Sequence, residues 1–168
     1  MPNTENVAST PDARSVVING RALSEQQLQE LATNYGAAPP PGRYWYDTMS
    51  GMWGYEGREA LGFIRPGHAF GPVSPRASNG NTGAFVNGRE INFVEALFYQ
   101  RVFGGVRPGR FWLDGRTGNI GVEGNPLPLA NLALAIEQAQ STGQSAGGGH
   151  RSVLSTWDRT GVAVYGSQ

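Results

Sequence analysis

The stretch Pro41-Gly42-Arg43-Tyr44-Trp45-Tyr46-Asp47 returns as Pro108-Gly109-Arg110-Phe111-Trp112-Leu113-Asp114. Further on, Gly54-Tyr55-Glu56-Gly57 is answered by Gly121-Val122-Glu123-Gly124, and 109 minus 42 and 121 minus 54 both give 67. Self-similarity at a fixed spacing marks a supersecondary unit used twice, so any fold for this chain has to build the same cassette in two places.

A hairpin accounts for most residues of the cassette. With Thr48-Met49-Ser50-Gly51 as the turn, Asp47 faces Met52, and pairing outward sets Tyr46 against Trp53, Trp45 against Gly54, Tyr44 against Tyr55 and Arg43 against Glu56. With Gly115-Arg116-Thr117-Gly118 as the second turn, the same register sets Leu113 against Ile120, Trp112 against Gly121, Phe111 against Val122 and Arg110 against Glu123. Side chains alternate along a strand, so Tyr44, Tyr46, Trp53 and Tyr55, with Phe111, Leu113, Ile120 and Val122, form an apolar face that reads as core. The other face carries Arg43, Trp45, Asp47, Gly54 and Glu56, where an Arg–Glu pair directly across would add roughly 0.2–1 kcal/mol if half exposed. There each tryptophan can cover a glycine, a pairing that supports a weak strand position. The same face also fits a tryptophan platform with acidic neighbours, suited to a sugar or peptide. Glu56 and Glu123 are the glutamates that share the repeat spacing, but an arginine opposite each holds it ionised rather than readying it as a general acid.

The rest of the chain supplies the elements around these hairpins. Residues 1–14 read as a flexible arm. Ser15 to Ile18 and Ala84 to Val86 read as strands ending in Asn19-Gly20 and Asn87-Gly88, a strong tight-turn signal. A helix follows each: Ser24 and Gln27 form a capping box with Gly36 as terminator, and Asn92, Glu95 and Gly104 repeat the arrangement. The second helix, with Leu97, Phe98, Val102 and Phe103, is more apolar all round and is expected to be the more buried or to face a partner. Glu59 to Ile64 reads as one helical turn, and Pro66 to Gly83 as a long surface loop in which Arg65, His68, Phe70 and Arg76 could meet a ligand. Pro128 to Gln140 reads as a third helix, with Leu129, Leu132, Ala133, Ile136 and Ala139 on one face. A Gly/Ser/Gln linker follows, then Val153 to Tyr165, expected to form a final hairpin.

Composition narrows the chemistry. The chain has 168 residues, enough for one compact domain or two small lobes sharing a core. Gly 25, Pro 11 and only 15% charged residues favour many turns and short strands. A formal net charge of +0 leaves no electrostatic footprint for nucleic acid. Cys 0 and two histidines, His68 and His150, leave little for a metal site or a Ser-His-Asp triad. No GxxxxGK[ST], GxSxG or HExxH motif occurs, and Asp114 to Asn119 lacks the acids of a calcium loop. The polar, low-charge composition leans to an exported or cell-surface protein, although no signal peptide is visible. No apolar stretch of membrane-spanning length occurs.

The segments Arg43 to Gly57 and Arg110 to Gly124 are similar to the aromatic hairpin repeats of bacterial cell-wall-binding modules, which also set Trp and Tyr beside a Gly-containing turn. Those modules run hairpin after hairpin, whereas here a capped helix precedes each one. The resemblance implies carbohydrate or cell-wall binding through Trp45 and Trp112, in a bacterial protein.

The expected fold is α+β, an internal duplication of a strand–helix–hairpin unit with pseudo-twofold symmetry, closed by a C-terminal helix and hairpin. Its divisions are an arm at 1–14, repeat one at 15–67, a connecting loop at 68–83, repeat two at 84–140, and a linker and hairpin at 141–168. The expected function is non-enzymatic: a structural or protein-interaction module that self-assembles or joins a larger complex, with glycan binding as the alternative. The interaction candidates are Trp45, Trp112, Phe98, Val102, Trp157 and Tyr165. No catalytic residue, cofactor or metal is expected, and the partner is a protein or further copies of the chain rather than nucleic acid.

Overall fold

The structure, a computed structural model, describes residues 14–141. The arm before Arg14 and everything after Ser141, including the expected final hairpin with Trp157 and Tyr165, lie outside the described residues.

Each sheet starts from an Asn-Gly turn. Strand β1 (Val16–Ile18) reverses into β2 (Arg21–Ala22), with Val17 opposite Ala22. Asn19 and Gly20 both take left-handed backbone, φ 51° and 79°, which a two-residue hairpin turn requires and which asparagine and glycine adopt most readily. Helix α1 (Glu25–Tyr35) then carries the chain across, so that β3 (Gly42–Tyr46) returns parallel to β1. Its capping box is complete: Gln27 N donates to Ser24 Oγ at 3.2 Å and Ser24 N to Gln27 Oε1 at 2.9 Å. β3 turns into β4 (Met52–Tyr55) with Tyr44, Trp45 and Tyr46 opposite Tyr55, Gly54 and Trp53, the register expected from the sequence.

The fifth strand corrects one expectation. Glu59 to Ile64 holds no helical turn; Ala60–Phe63 forms β5 against β4. Gly54 allows that approach, since a Cβ on it would lie 2.4 Å from the Glu59 carbonyl oxygen. The pairing is a short hairpin, but the register shift between Trp53 and Gly54 and the glycines on both strands blur the alternation that would mark it in the sequence.

The second sheet repeats the order. β6 (Ala84–Val86) and β7 (Arg89–Glu90) flank the turn at Asn87-Gly88, and α2 (Phe93–Phe103) crosses to β8 (Gly109–Leu113), parallel to β6. β9 (Asn119–Val122) pairs with β8 in the expected register and β10 (Ala130–Asn131) pairs with β9. The sheets run β2-β1-β3-β4-β5 and β7-β6-β8-β9-β10. Helix α3 (Leu132–Ser141) begins later than expected, because Ala130 and Asn131 are drawn into the sheet and Leu129 is left exposed before them.

Two clusters make the core. Val16, Ile18, Tyr44, Tyr46 and Trp53 bury against Leu31 and Tyr35 of α1, joined by Ile64 and Phe70. The larger cluster joins the two sheets: Trp45, Met52 and Phe63 from the first meet Ala84, Val86, Ile91, Tyr99, Leu113, Leu132 and Ile136. Part of the first hairpin's second face is therefore core as well: Trp45 is only 1% exposed and Asp47 is buried, while Arg43 and Glu56 on the same face stay half exposed; Tyr55 and Val122, expected in the core, are exposed. Polar contacts tie the same junction. Asn87 Nδ2 donates to Asp47 Oδ2 at 2.7 Å, and Gly115 N donates to the Met49 carbonyl at 2.9 Å. A Cβ at Gly115 would collide with the Ser50 carbonyl at 2.1 Å, so the tip of one hairpin is seated on the tip of the other.

Candidate protein-interaction surface

The tryptophans singled out from the sequence are held by their own hairpins. Trp45 lies over Gly54, with ring carbons 3.0 Å from where a Cβ would stand, and its Nε1 donates to the Arg58 carbonyl at 3.0 Å. Trp112 is half-buried over Gly121, and its Nε1 donates to the Asn125 carbonyl at 2.7 Å. The two repeat-spaced glutamates are paired on the surface, Glu56 with Arg43 at 2.7 Å and Glu123 with Arg110 at 3.0 Å. Phe98 and Val102 are half-buried on α2 and pack against the inter-sheet core.

In the long loop, His68 is drawn inward. Its ring stacks on Phe70 and meets the edges of Tyr35 and Tyr46. Arg65 N donates to the Tyr35 hydroxyl at 3.2 Å, which leaves the hydroxyl proton for His68 Nε2 at 2.6 Å and favours a neutral imidazole. Burial first, and the Arg65 charge second, push the His68 pKa below its ordinary value.

A buried ionic centre anchors α2. Arg89 and Glu95, with side chains 1% and 6% exposed, form a two-pronged pair at 2.8 Å on each arm. Arg89 also donates to Ser78 Oγ at 2.6 Å, and its guanidinium lies 3.9 Å over the Trp45 ring. Glu95 doubles as the capping partner of Asn92, accepting from its N–H at 3.2 Å. Nearby, burial drives the Tyr99 pKa well up, and its hydroxyl has no hydrogen-bond partner among the described residues. This centre is closed by protein on every side that the contacts define, so its work is to hold α2 and the two sheets in one geometry.

The helix so anchored presents an apolar outer face. Phe93 is 66% exposed, Val94 52% and Leu97 38%. Spacings of three and four residues place Leu97 beside both others on one side of the helix. The side chains that α2 buries fully are Glu95 and Tyr99, so of the two expectations for this helix, deeper burial or a face for a partner, deeper burial does not hold: it has a core face and an open apolar face. Helix α1 has the same length, the same type of capping box and C-cap, and joins the corresponding pair of parallel strands, yet it presents Glu25, Gln26 and Gln29 where α2 presents Phe93, Val94 and Leu97. Setting the two helices side by side is the sequence signal that would have found these residues. Helix α3 packs beside α2 and exposes Leu134.

Among the described residues no group of three or more acidic or histidine side chains could hold a metal ion, and no helix is long and apolar enough to cross a membrane.

No family model matches the chain, and no solved structure matches it. Among curated proteins it is similar to Extra-large guanine nucleotide-binding protein 1 of Arabidopsis thaliana, at 46% identity over 93 residues, 52% of this chain and 10% of that protein. It is also similar to Extra-large guanine nucleotide-binding protein 2 of the same plant, at 34% identity over 126 residues, 71% of this chain and 14% of that protein. The chain thus spans a small part of the length of these relatives. Both are plant proteins, which overturns the expectation of a bacterial protein. A Trp-over-Gly hairpin is a local packing solution open to any lineage, so it carried no information about origin.

Proposed function

We propose that this chain is a non-catalytic protein-interaction module that binds a protein partner through the outer face of α2. The observation that carries the reading is the exposure of Phe93, Val94 and Leu97 on a helix whose counterpart, α1, is polar at the same positions. Water alone gives no reason for that difference, and contiguous exposed apolar groups mark contact surfaces. The plant relatives support a modular role, since the matched stretch is one part of much longer proteins. Guanine nucleotide binding, which their names state, is not part of this proposal. In the same reading, residues 15–67 and 84–140 are two copies of one unit related by a pseudo-twofold axis and joined by 68–83, a view supported by their equal strand order and matched hairpin registers.

The test is a photo-cross-linking side chain at Leu97, with Gln29 on α1 as the control. In cells that make the protein, illumination is expected to yield an adduct of one defined mass from position 97 and none from position 29. Equal labelling at both positions, or no adduct at 97, would overturn the reading.

A further inference from the structure

The interaction reading leaves the chemistry of the partner open, and the charges around α2 bear on it. Aligned on their caps, Ser24 with Asn92 and Gly36 with Gly104, the helices differ in charge as well as polarity. Glu25 and Glu30 of α1 are replaced by Phe93 and Phe98, and Thr33 by Arg101. In the loops that follow, aligned on Pro41-Gly42 and Pro108-Gly109, Pro40 is replaced by Arg107. Two negative charges are lost and two positive charges gained; the one opposite change, Gln27 to Glu95, is buried and neutralised by Arg89.

Arg101 is exposed and lies on the stripe Phe93–Leu97–Arg101, at successive spacings of four residues. Arg107 is exposed in the loop that leaves the helix. Neither makes an ion pair among the described residues. The single acid of α2, Glu95, is buried on the far side with Arg89, and α3 contributes one exposed charge, Glu137. The open face of α2 therefore carries an apolar first half with the Arg101 cation one turn further on, and the following loop adds a second exposed cation, Arg107.

Resting on the interaction reading above, we infer that α2 takes an acidic amphipathic helix of a partner protein. Its large apolar side chains, at helical spacing, cover Phe93, Val94 and Leu97, and its carboxylates meet Arg101 and Arg107. Apolar anchors supply affinity in such helix-against-groove contacts, and a charged rim selects among partners.

The probes are two synthetic amphipathic peptides with one Leu/Phe face, one carrying glutamates along the rim and the other lysines, titrated against the full chain by fluorescence anisotropy. The glutamate peptide is expected to bind about tenfold more tightly at low salt, since two rim cations each contribute modestly. The preference is expected to shrink in high salt. Arg101→Glu should abolish the preference while apolar binding survives, and Leu97→Asp should weaken both peptides, in variants whose circular dichroism matches the parent. Equal binding of the two peptides, or a lysine preference, overturns the acidic assignment and leaves the interaction reading standing. Absence of binding by both, with a photoadduct still formed at position 97, overturns the helical-peptide assignment alone; without the adduct the interaction reading falls too. A dimer in light scattering that Leu97→Asp converts to monomer gives the face to a second copy and overturns the inference. A gain in peptide affinity on Trp157→Ala gives it to the chain's own C-terminal segment, with the same consequence.

Discussion

Replacing Glu95 with Gln tests whether the buried ion pair governs the stability of the whole assembly. The substitution keeps the size of the side chain and one carbonyl acceptor, which can still receive the Asn92 N–H, but it removes the charge facing Arg89. That guanidinium is 1% exposed, enclosed by Trp45, Ser78 and Met52, and can recover little hydration where it lies. Removing one member of a buried pair typically costs about 3–5 kcal/mol, because the remaining charge is left uncompensated. With a urea dependence of roughly 2 kcal/mol per molar, the midpoint should fall by about 2 M. Urea titration followed by tryptophan fluorescence and circular dichroism measures it directly, since Trp45 reports on the same site. A second variant, Arg89→Met with Glu95→Leu, separates charge from packing: it should be more stable than Glu95→Gln, as apolar replacements of buried pairs often are. A fall below roughly 0.5 M for Glu95→Gln, equivalent to about 1 kcal/mol, would refute the account. So would a double variant no more stable than the single one, which would place the loss in packing.

Gly54→Ala should destabilise by about 1–3 kcal/mol, read as a fall in melting temperature, and by more than Gly121→Ala. A Cβ at 54 meets the backbone carbonyl of Glu59 at 2.4 Å, whereas at 121 the nearest atoms, at 2.5 Å, belong to the half-buried Trp112 ring, which can shift. The His68 pKa is lower in the folded chain than its ordinary 6.5, so the stability linked to the neutral ring is complete above 6.5 and is lost as pH falls through the lowered value. Urea midpoints at neutral and mildly acid pH should therefore differ more in the parent than in His68→Phe; equal differences would refute the assignment. Arg43→Ala should cost less than about 1 kcal/mol in the same titration, because both partners of that pair are half exposed. Burial pushes the hydroxyls of Tyr44 and Tyr46 up to about 12, so tyrosinate absorbance from them should emerge well above the ordinary range.

Local geometry was the legible part of this sequence. The hairpin registers, both capping boxes, the left-handed Asn-Gly turns and the Arg–Glu pairs each depend on residues close in the chain, and their partners can be counted off along it. What lay hidden depends on contacts between the sheets. Arg89 only follows the Asn87-Gly88 turn until it is placed over Trp45, and Glu95 is only a capping partner until Arg89 closes on it. The strand at Ala60–Phe63 was hidden for a nearer reason: it pairs with β4 just before it, across a register shift between Trp53 and Gly54 that breaks the two-residue alternation. The outer face of α2 was obscured for a different reason: an apolar helix is ordinarily read as buried, and only its comparison with α1 separates the side chains that serve the core from those left in water.

The seating of Gly115 on the Ser50 backbone carries a consequence for how such a chain can vary. Many β-rich scaffolds diversify at their hairpin ends, where insertions cost little; here each end is locked into the other, and added length would wedge the halves apart. Novelty is thereby displaced to the outward sides of the helices, where side chains can be exchanged without disturbing the joint.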